Sequence, residues 1–386
     1  MADNISGGMV LDIFDSGFAA DPWPTLDRLR RAGGVHRVRT PDGPPAWLVT
    51  GYADVRAVLL DTRLTTGTHY ANGRDYRGHT MYPGAHARLR QVLATESTPR
   101  TTDEWTRRAP ELVEALLKDL DPATIVDLVE RLAVPLPAAV LGELLGLPAA
   151  DREAVLAWAN STLLSAAGRP AAQALDTLQA MHAIITGAID RTRGTDTVLG
   201  RLVAAHEGGS IDAEELQAGF RYLLFFWYQV LTDLVTGAIL TLLTHHDQVP
   251  LLRTAPDRAV DELLRYLSPQ VLASPRFATT DLPLGDYTIR AGQTVLCCLA
   301  GANHDPAAFH APGTLDLARE PNQHLSLGHG PHSCLGTGLI RAVTATTLHH
   351  VCTRWPAMTS TMEPSEIQWR SGFRHRGPLA LPVRLA

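Results

Sequence analysis

Between residues 324 and 336 the chain reads His324-Leu325-Ser326-Leu327-Gly328-His329-Gly330-Pro331-His332-Ser333-Cys334-Leu335-Gly336, which sets one cysteine in a glycine-rich loop just ahead of a helix. Glycine adopts backbone conformations closed to other residues, so Gly328, Gly330 and Gly336 let the chain turn sharply and pass close to a flat group. The first amides of the following helix, near Gly336 to Arg341, have no partner inside it and can stabilise a negative sulfur. A lone cysteine is ordinarily a small buried hydrophobe. In these surroundings it reads as a thiolate offered to a metal.

The rest of the chain has a globular balance: 45% of its residues are apolar and 19% charged, without the high charge of a disordered chain. Helical patterning predicts long helices over 103–120, 137–145, 151–164, 170–191, 213–245 and 258–267, with extended pieces over 35–50, 271–299 and 378–385. The expected fold class is mainly α with small β-sheets. Length is a soft guide to domain count, and no repeat or low-complexity linker divides the chain, so 1–386 reads as a single catalytic domain. The longest apolar run, Tyr222 to Val230, falls well short of the ~20 residues that a membrane span needs. At the N-terminus no basic region leads into an apolar one. Cysteines 297, 298, 334 and 352 include an adjacent pair unsuited to bridging and suggest no disulfide framework. These features point to a soluble, cytoplasmic protein with no membrane partner. A net charge of −6 argues against nucleic acid. Lys118 is the only lysine among many arginines, a bias associated with GC-rich bacterial genomes.

Other signals stand in order along the chain. Glu262 and Arg265, in Asp261-Glu262-Leu263-Leu264-Arg265-Tyr266, share a helix face and alone would read as a surface ion pair of little worth. His86-Ala87-Arg88-Leu89-Arg90 sets a histidine and an arginine four apart, ordinarily a solvated face, on a helix that should stop at Thr98-Pro99-Arg100. Arg276 leads Phe277-Ala278-Thr279 in an extended segment. Ala46 to Val55, Ala302-Asn303-His304-Asp305-Pro306, Arg376-Gly377-Pro378 and Leu381-Pro382-Val383 complete the series. With the cysteine loop, these resemble the cytochrome P-450 family, whose loop reads Phe-Gly-x-Gly-x-His-x-Cys-x-Gly; here Leu327 stands for the phenylalanine.

The resemblance runs over nearly the whole chain and implies the family's helical prism, with haem b between a long distal helix and the cysteine loop. It makes Cys334 the proximal iron ligand, a thiolate that pushes electron density onto the metal and favours O–O cleavage. Gly328 and Gly336 would shape the loop. His86, Arg90, Arg276 and His332 match residues that the family turns on the haem propionates, which need cationic donors in an apolar pocket. Glu262 and Arg265 match a structural Glu-x-x-Arg pair, buried and joined by Arg319, an arrangement a carboxylate tolerates only when fully paired. A small-molecule substrate and electron supply from a ferredoxin and its reductase are implied too.

One stretch breaks the family pattern. The helix over 213–245 should cross the distal face of haem, where most relatives carry Ala/Gly-Gly-x-Glu/Asp-Thr-Thr; glycine opens a groove for dioxygen, and acid and alcohol route protons to it. Counting back from Leu242-Leu243-Thr244-His245-His246-Asp247-Gln248 puts Phe226, Trp227, Tyr228, Gln229, Val230 and Leu231 in those positions. Trp227 takes the place of the glycine, Gln229 of the acid and Val230 of the alcohol. Gln229 cannot give up and regain a proton near neutral pH, and Val230 cannot donate a hydrogen bond. Thr232 could serve only if the helix bulged, because two residues turn a helix by ~200°. The run Phe225-Phe226-Trp227-Tyr228 reads as core filling on a fully buried helix or, at Trp227, as a wall of the distal pocket.

Three chemistries stay open. The substrate's polar group or ordered water delivers protons, leaving an oxygenase; or hydrogen or electron abstraction suffices, as in aryl coupling and ring closure; or oxygen activation is lost, leaving a non-redox rearrangement or a ligand-binding protein. The expected activity is haem-thiolate oxidation of an intermediate of bacterial secondary metabolism, with atypical oxygen activation. The segment expected to cover the pocket, Thr65 to Arg77, is polar with scattered aromatics, which favours a polar or aromatic compound over a fatty acid or terpene. Phe373, near the C-terminal hairpin, would close the cavity from the other side.

Overall fold

The computed structural model describes residues 10–41, 43–66, 85–93, 98–163, 171–370 and 373–385. The protein is mainly helical with small sheets. The chain divides into two compact units, one made of Met1–Pro83, Asp261–Cys334 and Ser371–Arg376, the other of Gly84–Val260, Leu335–Arg370 and Gly377–Ala386.

The first unit is built on a five-stranded sheet in the order Val35–Thr40, Gly43–Val49, Thr294–Cys297, Arg276–Ala278 and Leu64–Thr65. Successive side chains on a strand point to opposite faces, and here both faces are apolar. Trp47, Val49, Val295 and Cys297 enter one cluster with Val55 and Val58 of the helix Tyr52–Leu60. Ala46, Leu48, Leu296 and Cys298 enter the opposite cluster with Leu26 and Leu29 of the helix Trp23–Arg31. Burying each such leucine stabilises the fold by about 1.5–3 kcal/mol. The adjacent thiols of Cys297 and Cys298 therefore point apart, and both are free.

In the second unit the helices Pro99–Leu117, Pro135–Leu145, Ala149–Leu163, Ala171–Thr192 and Ala213–Leu242 fall where the sequence patterning places them. Thr98 begins a helix: its hydroxyl accepts the Thr101 amide at 3.2 Å, and Pro99 occupies a position where a missing N–H costs nothing. The long helix Ala213–Leu242 opens with a capping box, in which Glu215 N donates to Asp212 Oδ1 at 2.8 Å and Asp212 N to Glu215 Oε2 at 2.9 Å. It packs on the helices Pro135–Leu145 and Thr337–Arg354, and every residue from Val230 to Ile239 is buried, as suits a helix without a polar stripe. A three-stranded sheet orders Ile125–Asp127, Pro382–Arg384 and Thr359–Ser360. No helix among the described residues is long and apolar enough to cross a membrane.

Candidate functional site

In the first unit, the loop before Cys334 is shaped by two left-handed glycines, Gly328 at φ +73° and Gly330 at φ +71°. The left-handed conformation calls for glycine at 330, where a side chain would also push aside the exposed end of Leu60. Gly328 N donates to Leu325 O and Cys334 N to Leu327 O, each at 2.8 Å, which folds the loop back on itself and leaves the Cys334 side chain half-buried. His332 is half-buried on the turn Gly330–His332. The helix Thr337–Arg354 begins three residues after the cysteine. Gly336 caps it at φ −87°, within a turn over residues 335–336 whose backbone is open to any residue.

The other three cysteines are ordinary buried thiols. Burial pushes Cys297 and Cys298 up to about 12 and Cys352 up to about 11, so all three stay protonated. Arg276, on the strand Arg276–Ala278, is buried and donates to Ser274 O at 3.0 Å. A thiol in a glycine loop ahead of a helix, with a buried guanidinium in the same unit, suits the donor chemistry of a thiolate-ligated group bearing carboxylates.

Behind the loop lies a fully buried charge network. Arg265 Nε and Nη2 donate to Glu262 Oε2 and Oε1 at 2.7 and 2.8 Å, both side chains having no exposure. Arg319 Nε donates to both Glu262 oxygens at 3.1 and 3.0 Å, while Asn322 Nδ2 and Asp316 N each add a bond at 3.1 Å. The remaining Arg265 donors reach the carbonyls of Asn303, Pro312 and Thr314. Asn303 then ties this core to the loop: Nδ2 donates to Ser268 Oγ and Ser326 Oγ, and Oδ1 accepts from Leu325 N at 2.7 Å. Ser326 Oγ closes the circuit on Leu264 O at 2.6 Å. Sequence reasoning missed Asn303, Asn322 and Ser326 as members. Only Ser326 carried a signal, a hydroxyl between Leu325 and Leu327 that in a core must find hydrogen bonds, whereas Asn303 and Asn322 stand among other polar residues.

Next to Asn303, His304 stacks on Trp23 with ring centroids 3.8 Å apart and its Nε2 lies 2.9 Å from Tyr266 O. Burial lowers its pKa to about 4, so it is a neutral imidazole donating to that carbonyl. Phe373 is half-buried and packs edge-on against Phe14 at 4.6 Å, beside the apolar cluster of the first unit.

In the second unit, Arg90 is half-buried on the helix Ala85–Leu93, and Arg88 beside it is ion-paired with Glu215. The long helix runs unbroken through the positions that depart from the family pattern. Gln229 is half-buried and Val230 buried. Tyr228 is fully buried; its hydroxyl donates to Val134 O, its ring meets Trp158 edge-on, and burial raises its pKa. It is a core residue. Thr232 is also fully buried and its hydroxyl donates to Tyr228 O at 2.9 Å, so no bulge turns it into the place of Val230. The side chains of His86, Phe225, Phe226 and Trp227 lie outside the described residues, as does the covering segment beyond Thr66.

Residues 244–369 match the family described as Cytochrome P450. Across 97% of this chain and 94% of the relative, the sequence is 36% identical to the cytochrome P450 monooxygenase PikC of Streptomyces venezuelae. Among solved structures, the tirandamycin C-bound P450 monooxygenase TamI superposes with a TM-score of 0.88 at 32% identity, covering 97% of this chain and 100% of that one. The P450 enzyme CxnD, for C–S bond formation in chuangxinmycin biosynthesis, gives a TM-score of 0.89 at 27% identity, with coverage of 99% and 98%.

Proposed function

This chain belongs to the cytochrome P450 family, and from that premise we propose that it is a bacterial haem-thiolate oxidase of a polar or aromatic natural-product intermediate, working as one catalytic domain without the usual acid–alcohol proton route. The second half rests on the count along the sequence that sets Gln229 and Val230 where the family carries its acid and alcohol; the observation that supports it is the unbroken long helix with the Thr232 hydroxyl bonded to Tyr228 O. The relatives support the first half: PikC and TamI are monooxygenases, TamI binds tirandamycin C, and CxnD forms a C–S bond.

In this reading Cys334 ligates the iron of haem b, and the bound group supplies oxygen activation with electron push from the thiolate. The chain's own residues do the rest. The loop bonds of Gly328 and Cys334 orient the sulfur, and the first amides of the helix Thr337–Arg354 favour its negative charge. Arg276, His332, Arg90 and His86 hold the propionates, while Glu262, Arg265 and Arg319 hold the core behind the loop. Gln229 donates and accepts hydrogen bonds without transferring protons, so protons come from water or from a polar group of the substrate. That favours oxygenation with substrate-borne protons, or coupling and ring closure by abstraction. Electrons come from a ferredoxin and its reductase in the cytoplasm.

The test has two parts. Protein reduced under carbon monoxide should show the red-shifted Soret band of thiolate-ligated haem, and a Cys334→Ala protein that keeps the band sinks the ligand assignment. Turnover is then compared with ferredoxin and reductase, with peroxide, and with no oxidant. Product formed with no oxidant would establish the non-redox alternative.

A further inference from the structure

A carboxylate and a guanidinium meet in the core of the second unit at Asp233 and Arg370. Asp233 stands on the long helix four residues after Gln229 and three after Val230, so it shares their side of the helix one turn on. Its side chain has no exposure, and Arg370 Nε, on a side chain only 10% exposed, donates to Oδ1 at 3.1 Å. Arg370 is itself pinned through the backbone: its amide donates to Gly377 O at 2.8 Å, and Trp369 bridges Pro378. Gly377 lies so near the carboxylate that a Cβ there would fall 2.3 Å from Asp233 Oδ1 and 2.6 Å from Cγ. The backbone at Trp369–Arg370 and at Gly377–Pro378 is thus gathered at one carboxylate of the long helix.

Buried ion pairs are weak contributors to net stability, because desolvation offsets the attraction; what such a pair does well is select one packing over others. We propose that Asp233, Arg370 and Gly377 form a specificity latch, which holds the C-terminal segment beside the helical turn carrying Gln229 and Val230 and so fixes the room a substrate has there. Asp233 is a positioning residue acting through Arg370. The inference rests on the reading that this helix lines the substrate site. It also sets the chemistry of the occupant. Gln229 is half-buried and makes no hydrogen bond among the described residues, so its carboxamide is available to a substrate amide, acid or hydroxyl.

The experiment uses haem-loaded protein and two azole probes, imidazole and the bulkier 4-phenylimidazole, with Kd read from the ligand-induced Soret shift. Asp233→Asn removes the charge and keeps the volume; Gly377→Ala keeps both charges and displaces the carboxylate. Each variant should change the ratio of the two Kd values by about tenfold, with the thiolate signature under carbon monoxide unchanged. The double variant Asp233→Asn with Arg370→Gln should move the ratio no further than Asp233→Asn alone, since the two groups act as a unit. If Asp233→Asn does not fold, Gly377→Ala and Arg370→Lys decide the matter. An unchanged ratio beside normal spectra overturns the latch alone. Absence of any Soret shift in the wild-type protein overturns the functional reading and the latch with it.

Discussion

Glu262→Ala is the sharpest perturbation of the core behind the cysteine loop. The carboxylate accepts from both forks of Arg265, from Arg319 Nε, from Asn322 Nδ2 and from Asp316 N, all within 3.1 Å. Its removal strands Arg265, which has no exposure and cannot recover water at Nε. The carbonyls of Asn303 and Pro312 still serve Nη1, and Arg319 keeps its bonds to His310 O and Thr314 O, so the loss is partial. Breaking one side of a buried pair costs about 3–5 kcal/mol, a large share of the ~5–15 kcal/mol that holds a protein folded. Urea unfolding followed by far-UV dichroism should show the unfolding free energy fall by that amount, with haem-poor protein recovered at 37 °C. Glu262→Gln should fall between, since one acceptor oxygen survives. A Glu262→Ala protein with full haem and a stability within about 1 kcal/mol of wild type would refute the reasoning, because the stranded guanidinium would then have found a partner the network does not provide.

Tyr228→Phe removes a buried hydroxyl and its bond to Val134 O, so stability should drop by about 0.5–1.5 kcal/mol while the carbon monoxide spectrum holds; a spectral change instead would place Tyr228 at the haem. His304 titrates near 4 when folded against 6.5 when exposed, so the unfolded chain binds the extra proton between those values. Stability should therefore be level above pH 6.5 and fall by about 3 kcal/mol on acidification toward pH 4, a slope that His304→Gln flattens; identical slopes in both proteins would contradict the burial of a neutral imidazole. Gly330→Ala forces a side chain into the left-handed region and against Leu60, at about 1–2 kcal/mol for the conformation alone. Faster haem loss to apomyoglobin is the expected readout, and an unchanged rate would show that the loop relaxes freely. Restoring the relay as Gln229→Glu with Val230→Thr should raise reductase-driven oxygen consumption; no rise would mean that protons already arrive by another route.

What the sequence disclosed depended on whether a feature was local. Helix extents in the second unit followed apolar spacing, since a buried face imposes its period on the residues that form it. The left-handed glycines at 328 and 330 were legible because no other residue adopts that backbone without strain, whereas the turn at Gly336 uses a backbone open to any residue. Spacing could not reveal that Asn303 and Ser326 join the Glu262 network, or that Arg370 closes on Asp233 across more than a hundred residues, because hydrogen-bond partners far apart in sequence leave no periodic trace. Phe373 and Tyr228 fare differently. Tyr228 reads as core filling in the sequence, and its buried ring meets Trp158 edge-on, whereas half-buried Phe373 packs edge-on against Phe14 beside the core. Gln229 and Val230 pose a question of another kind. Val230 is buried and has a packing role, while Gln229 is half-buried and can hydrogen-bond without carrying protons, so the relay-restoring variants decide whether this turn of the helix was built for packing or for chemistry.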